Sequence, residues 1–103
     1  MKSDAQVRNE LINGLFEFSR HAFQRAAERN IAIAEIREAG HTMQVIERYP
    51  DDKYAPSCLM LGYTQNRRPL HIQVSLLDAA VLKIITLYEP DQSEWIDDEI
   101  RRN

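Results

Sequence analysis

A single α+β domain over residues 1–103 is what this sequence predicts: helices in the first 40 or so residues, a four-stranded antiparallel sheet after them, and a short acidic helix at the end. Three observations carry it. Apolar residues recur at helical spacing up to Gly40, where the pattern changes to β-rich and alternating runs. The length of 103 residues fits one domain with a modest core. Short loops between successive strand-like runs favour an antiparallel meander.

The elements follow in order. Residues 4–17 form a first helix, with Ser3 or Asp4 as N-cap and Val7, Leu11, Leu15 and Phe18 on one face. Gly14 weakens its end. Ser19 is the N-cap candidate for a helix over 20–29, which Asn30 can end. A shorter helix over about 34–39 is closed by Gly40 as a C-cap. Residues 42–49 are rich in β formers and stop at the turn signal Pro50-Asp51-Asp52. Residues 58–63 are nearly all apolar, as a strand covered on both faces would be. Asn66-Arg67-Arg68-Pro69 reads as a hairpin loop. Leu70, Ile72, Val74 and Leu76 then alternate with His71, Gln73 and Ser75, giving one buried and one open face. A fourth strand over 81–88 ends at Glu89-Pro90. Asp91 or Ser93 caps the last helix, whose Trp95 is expected to pack on the body while Asp97, Asp98 and Glu99 face water.

Composition narrows the function classes. No apolar run approaches the roughly 20 residues of a membrane span, and the start MKSDAQVRNE has no signal-peptide core. The lone cysteine, Cys58, allows no internal disulfide and suits a reducing compartment. A cytoplasmic protein without a membrane partner is the expectation. The net charge of −3 argues against nucleic acid, but its distribution softens that. Residues 89–103 hold six acidic side chains against two arginines, whereas residues 1–88 hold 11 basic and 10 acidic ones.

Few residues carry chemistry. His21, Arg25 and Arg29 recur every four positions and fall within an arc of roughly 80° on a helix. Ala22, Phe23, Ala26 and Ala27 take the adjoining arc and are expected on the sheet. The cationic stripe thus edges the buried face, where two guanidiniums and an imidazole can hold a phosphate. The plainer alternative is a solvated face with Arg25 paired to Glu28 or Glu17. His71, on the open face of its strand beside Gln73 and Ser75, is either a general acid or base or a hydrogen-bonding neighbour. Tyr88 ends its strand, where it can orient a phosphate, donate a proton or simply pack a corner. Arginines beside an imidazole are expected to lower its pKa by like-charge repulsion. His21, His41, His71 and Cys58 show no metal-ligand spacing, and no Gly-rich phosphate loop or G-x-S-x-G elbow is present, so no cofactor is expected.

Five stretches in order, SRHAFQRAAERNI (19–31), ERYPDD (47–52), PSCLMLG (56–62), RRPLHI (67–72) and TLYEPDQSEW (86–95), resemble a family of small bacterial proteins, domain of unknown function 4258. The likeness covers roughly residues 18–102 and leaves 1–17 as an extra N-terminal helix. One departure is Ala26, where methionine is common. The resemblance implies a RelE-like or barnase-like ribonuclease fold and a toxin partnered by an antitoxin protein. It implies a metal-independent endoribonuclease acting on mRNA, with His21, His71 and Tyr88 as catalytic candidates and Arg25 and Arg29 as phosphate-binding ones. The alternative is a non-catalytic protein-interaction module of a toxin–antitoxin-like or regulatory complex, which the acidic charge favours. All five site residues are expected to converge in one concave patch, and His71→Ala to abolish activity with little effect on melting. Target sequence and oligomeric state are not legible in the chain.

Overall fold

The computed structural model describes residues 1–103. The fold is α+β, and its elements are α1 (Asp4–Ile12), β1 (Phe16–Phe18), α2 (Arg20–Glu28), α3 (Ile33–Gly40), β2 (Gln44–Tyr49), β3 (Ser57–Tyr63), β4 (Pro69–Ser75), β5 (Leu82–Tyr88), β6 (Trp95–Ile96) and β7 (Ile100–Arg101). Five strands form one sheet in the order β1-β5-β4-β3-β2. The β2–β5 meander is antiparallel, as expected, but β1 pairs parallel to β5, so the sheet is mixed.

Helix starts follow the caps. Ser3 accepts from the Gln6 amide and Ser19 from the Ala22 amide, each satisfying one of the free N–H groups of a first turn. Asn30 ends α2 in a left-handed conformation, φ 53°. Four expectations are corrected. The first helix stops at Ile12 because Gly14, at φ 72°, turns the chain. That turn frees Phe16-Glu17-Phe18 to line up beside β5 as a strand before residue 40. Gly40 lies inside α3, and the capping residue is His41 in right-handed geometry. The tail is a hairpin, β6–β7, in place of a helix. Asp91 does begin a turn, accepting from the Ser93, Glu94 and Trp95 amides. Continued as a helix, that turn would put the carboxylates of residues 97–99 near the negative end of the dipole. Instead Asp97 and Asp98 take φ 52° and 63° and reverse the chain.

The core lies between the helices and one sheet face. Leu70, Ile72 and Val74 of β4, Leu82, Ile84 and Leu87 of β5, and Cys58 and Met60 of β3 meet Val7, Leu11, Ala22, Ala26, Ile36 and Ala39. Each large aliphatic side chain buried there contributes about 1.5–3 kcal/mol. Cys58 is buried, which pushes its thiol up to about 11 and leaves it unreactive. Gly62 sets how close α3 can come. A Cβ there would lie 2.3 Å from the Ala39 carbonyl oxygen, so any larger residue would force helix and strand apart. Ala26 is part of this core, and the residue change at that position leaves the cationic stripe of α2 undisturbed.

The opposite sheet face carries the chemistry. Pairing places Glu47, Tyr49, Leu59, Leu61, His71, Gln73 and Tyr88 on it. One extra residue, Ile85, bulges β5 between the Gln73–Thr86 and Val74–Ile84 pairs. The bulge lets Leu82, Ile84 and Leu87 all point inward while Lys83, Thr86 and Tyr88 point out. Residues 91–102 lie across part of this face as a strap, with Trp95 buried on His71.

Candidate functional site

The stripe on α2 overhangs the open sheet face. Ala22 and Ala26 anchor the helix in the core, which turns His21, Arg25 and Arg29 toward β5. Phe23 is exposed, not packed on the sheet, and only its ring edge meets Phe18. His21, Arg25, Arg29, Thr86 and Tyr88 line one cleft of about 280 Å³, together with Glu89, Asp91 and Glu94. Arg25 pairs with neither Glu28 nor Glu17. Its Nε–H donates to His21 Nε2 at 3.4 Å, so this imidazole nitrogen accepts. Arg29 is likewise in no ion pair, and both guanidiniums are available to an anion.

His71 is on the same face but one layer deeper. It is fully buried, beside the ring of Tyr88 (centroids 5.3 Å apart) and that of Trp95 (4.5 Å). Its Nε2 is bonded to the Asp98 carbonyl oxygen. A carbonyl only accepts, so Nε2 carries the proton, and Nδ1 accepts from the Tyr88 hydroxyl at 3.4 Å. Four of the five sequence-derived residues therefore share the cleft, and His71 reaches it through Tyr88.

Electrostatics follow from burial. Desolvation pushes the His71 pKa down, opposed by the Asp98 carbonyl; the only arginine that helps lower it is Arg101, not the α2 stripe. Desolvation raises the Tyr88 pKa, so the phenol keeps its proton at neutral pH. Below about 6.5 the unfolded chain takes up a proton on His71 that the folded chain refuses. Stability is therefore full above that value and is lost as the pH falls toward the folded pKa. The urea midpoint is expected to drop between pH 7.5 and 5.5, and the drop to shrink in His71→Gln. A midpoint that is flat in the native chain over that window would refute a neutral buried imidazole.

Residues beyond the expected set complete the surroundings. His21 also lines a second cleft of about 600 Å³, with Lys83, Lys53, Gln73, Ser75 and Asp52. There Asp52 accepts from Ser57 Oγ at 2.6 Å and from Gln73 Nε2 at 3.4 Å. The Ser57 bond, first, and the Lys53 amide hold the Asp52 carboxyl below its usual range. Arg101 donates to Glu47 at 3.0 and 3.2 Å, and Tyr49 donates to the same carboxylate. Burial, then Glu47, raises Tyr49 to about 12. Gln73 was visible in the sequence as an open-face neighbour of His71. Glu47 and Arg101 gave no such signal, because their pairing spans 54 residues. No three His, Cys, Asp or Glu side chains converge closely enough to hold a metal ion. No helix is long and apolar enough to cross a membrane.

No curated protein and no solved structure gives a significant match to the chain. A family model, Domain of unknown function (DUF4258), matches residues 18–89. That span runs from the end of β1 to the residue after β5 and includes all five candidate residues, whereas the strap lies beyond it. With more than half of its length matched, the chain belongs to the domain of unknown function 4258 family.

Proposed function

We propose that this protein is the toxin of a bacterial toxin–antitoxin pair, a metal-independent endoribonuclease of the RelE-like or barnase-like kind that cuts mRNA. The observation that carries the reading is the cleft in which His21, Arg25, Arg29 and Tyr88 converge, with His71 bonded behind Tyr88. In such a reaction the 2′-hydroxyl oxygen bonds to phosphorus, the bond from phosphorus to the 5′ oxygen breaks, and a 2′,3′-cyclic phosphate remains. The attacking hydroxyl loses a proton and the leaving 5′ oxygen gains one.

The side chains supply each part. A phosphate in the cleft draws Arg25 and Arg29, which stabilise the charge of the pentavalent state. Arg25 then releases the His21 Nε2 lone pair to which it otherwise donates, and that nitrogen takes the 2′-hydroxyl proton. Tyr88, held protonated by its buried setting, turns its hydroxyl from His71 Nδ1 and gives that one proton to the leaving 5′ oxygen. His71 fixes the phenol from behind and is a positioning residue in this arrangement.

Expression without an antitoxin is expected to arrest growth and to yield mRNA fragments with cyclic phosphate ends, at a rate that EDTA does not change. Arg25→Ala with Arg29→Ala is expected to slow cleavage at least 100-fold, on the scale of losing transition-state charge donors, and to flatten the salt dependence of RNA binding by about one to two phosphate contacts. If neither the intact chain nor one ending at Pro90 produces such ends, the reading fails. One observation favours the second reading, a non-catalytic protein-interaction module: Glu89, Asp91 and Glu94 oppose phosphate in the same cleft. Tight binding of an antitoxin with no RNA cleavage by either form would select it.

A further inference from the structure

Every hydrogen bond between the strap and the body involves a side chain. The strands β6 and β7 pair only with each other, and no backbone–backbone hydrogen bond joins residues 91–103 to the body. Trp95 is 2% exposed and stands edge-on to His71, the ring planes at 89°. The Arg101 guanidinium lies 4.5 Å from the centroid of the Trp95 ring and is tied to Glu47. The Asp98 carbonyl accepts a hydrogen bond from His71 Nε2–H, and Tyr63 donates to the Asp98 carboxylate at 3.2 Å. Asp91 and Glu94 stand in the cleft of Arg25 and Arg29.

We infer that the surface under Trp95 is a nucleobase-stacking subsite, contiguous with the phosphate cleft through Tyr88, and that the strap is an intramolecular occupant which single-stranded RNA displaces. This rests on the ribonuclease reading of the cleft. The floor has the chemistry of a base platform. Leu59 and Leu61 are buried on this face, outside the helix-side core; Leu61 is paired with His71, whose neighbour on the other side is Tyr88. Aromatic platforms beside cationic grooves hold single strands with little sequence preference, because every base has a π face. The strap brings a ring and charge to these two places. The Trp95 indole covers the imidazole edge-on, and the Asp91 and Glu94 carboxylates line the cleft of the two arginines without pairing to either guanidinium.

The strap is also built to open. Asp97 and Asp98 both occupy the left-handed region, at φ 52° and 63°, which strains a non-glycine residue. Five carboxylates, at residues 91, 94, 97, 98 and 99, crowd twelve residues of chain, and a bound phosphate would repel them. A segment with so few backbone ties opens at a free energy well below that of global unfolding.

A 2′-O-methyl octa-adenylate tests the inference, since its blocked 2′ oxygens bind without being cut. Trp95 is the sole tryptophan, so its emission reports the strap. Titration of the intact chain is expected to shift that emission to the red. The chain ending at Pro90 should bind the oligonucleotide at least tenfold tighter than the intact chain. Arg101→Ala in the intact chain, which loosens the strap without entering the core, should bind severalfold tighter and decides the matter if the shortened chain does not fold. Equal affinity in all forms with unchanged Trp95 emission overturns the inference and leaves the phosphate cleft standing. Weaker binding by a folded shortened chain also overturns it, because the strap would then belong to the binding surface. Failure of every form to bind overturns the inference and the ribonuclease reading together.

Discussion

In the proposed ribonuclease, Tyr88→Phe is expected to slow RNA cleavage by about 100-fold or more, the range over which positioned acids and bases act, while the domain stays folded. The substitution removes one oxygen and keeps the ring against His71. Its structural cost is the unpaired Nδ1 of His71, about 1–2 kcal/mol for a buried acceptor. Single-turnover cleavage together with a urea titration separates the two effects. Cleavage within twofold of the native rate would make Tyr88 a corner-packing residue and remove the proton donor from the mechanism. His71→Ala is the less informative variant, contrary to what the sequence alone invites. The imidazole is fully buried between Tyr88 and Trp95, so its removal leaves a cavity and frees the strap. Lost activity in that variant would not distinguish chemistry from packing.

The difference between these two variants shows what sequence can and cannot give. Alternation in β4 correctly placed Leu70, Ile72 and Val74 inward and His71 with Gln73 on the other face. It could not show that the other face is covered, because the cover is supplied by Trp95 and Asp98, 24 and 27 residues away. The i, i+4, i+8 stripe of α2 was legible, since helical spacing is local. Its convergence on Tyr88 was not, because Tyr88 faces out only by virtue of the bulge at Ile85, which breaks the alternation of β5. Strand β1 is three residues long, too short for any period to register, and its parallel partner lies 66 residues on. In the tail, Trp95, Ile96 and Ile100 suit a helix or a hairpin equally. The two left-handed aspartates decide for the hairpin, and they hold because His71 and Tyr63 pin Asp98 and Glu47 pins Arg101.

Glu10→Ala is expected to destabilise the protein by about 3–5 kcal/mol, the cost of leaving a buried ion without its partner. Lys2 Nζ is 2.8 Å from one Glu10 oxygen and 3.1 Å from the other, with side-chain exposures of 1% and 11%. The ammonium also donates to the Ala79 carbonyl at 2.7 Å, tying α1 to the loop between β4 and β5. A domain of this size is stable by roughly 5–15 kcal/mol in all, so the loss would be a large share. Replacing both partners, Lys2→Met with Glu10→Leu, should recover most of it, since two apolar side chains of similar size carry no desolvation debt. Equilibrium urea unfolding of Lys2→Met, Glu10→Leu and the double variant closes the cycle. The outcome decides the standing of residues 1–17, which precede the family-matched span. Val7 and Leu11 of α1 are fully buried in the common core, and the pair locks the start of that helix to the far end of the sheet. A loss below about 1 kcal/mol in Glu10→Ala would show α1 to be a loosely held appendage; the geometry makes it part of the cooperative unit that presents β5, and with it Tyr88, to the cleft.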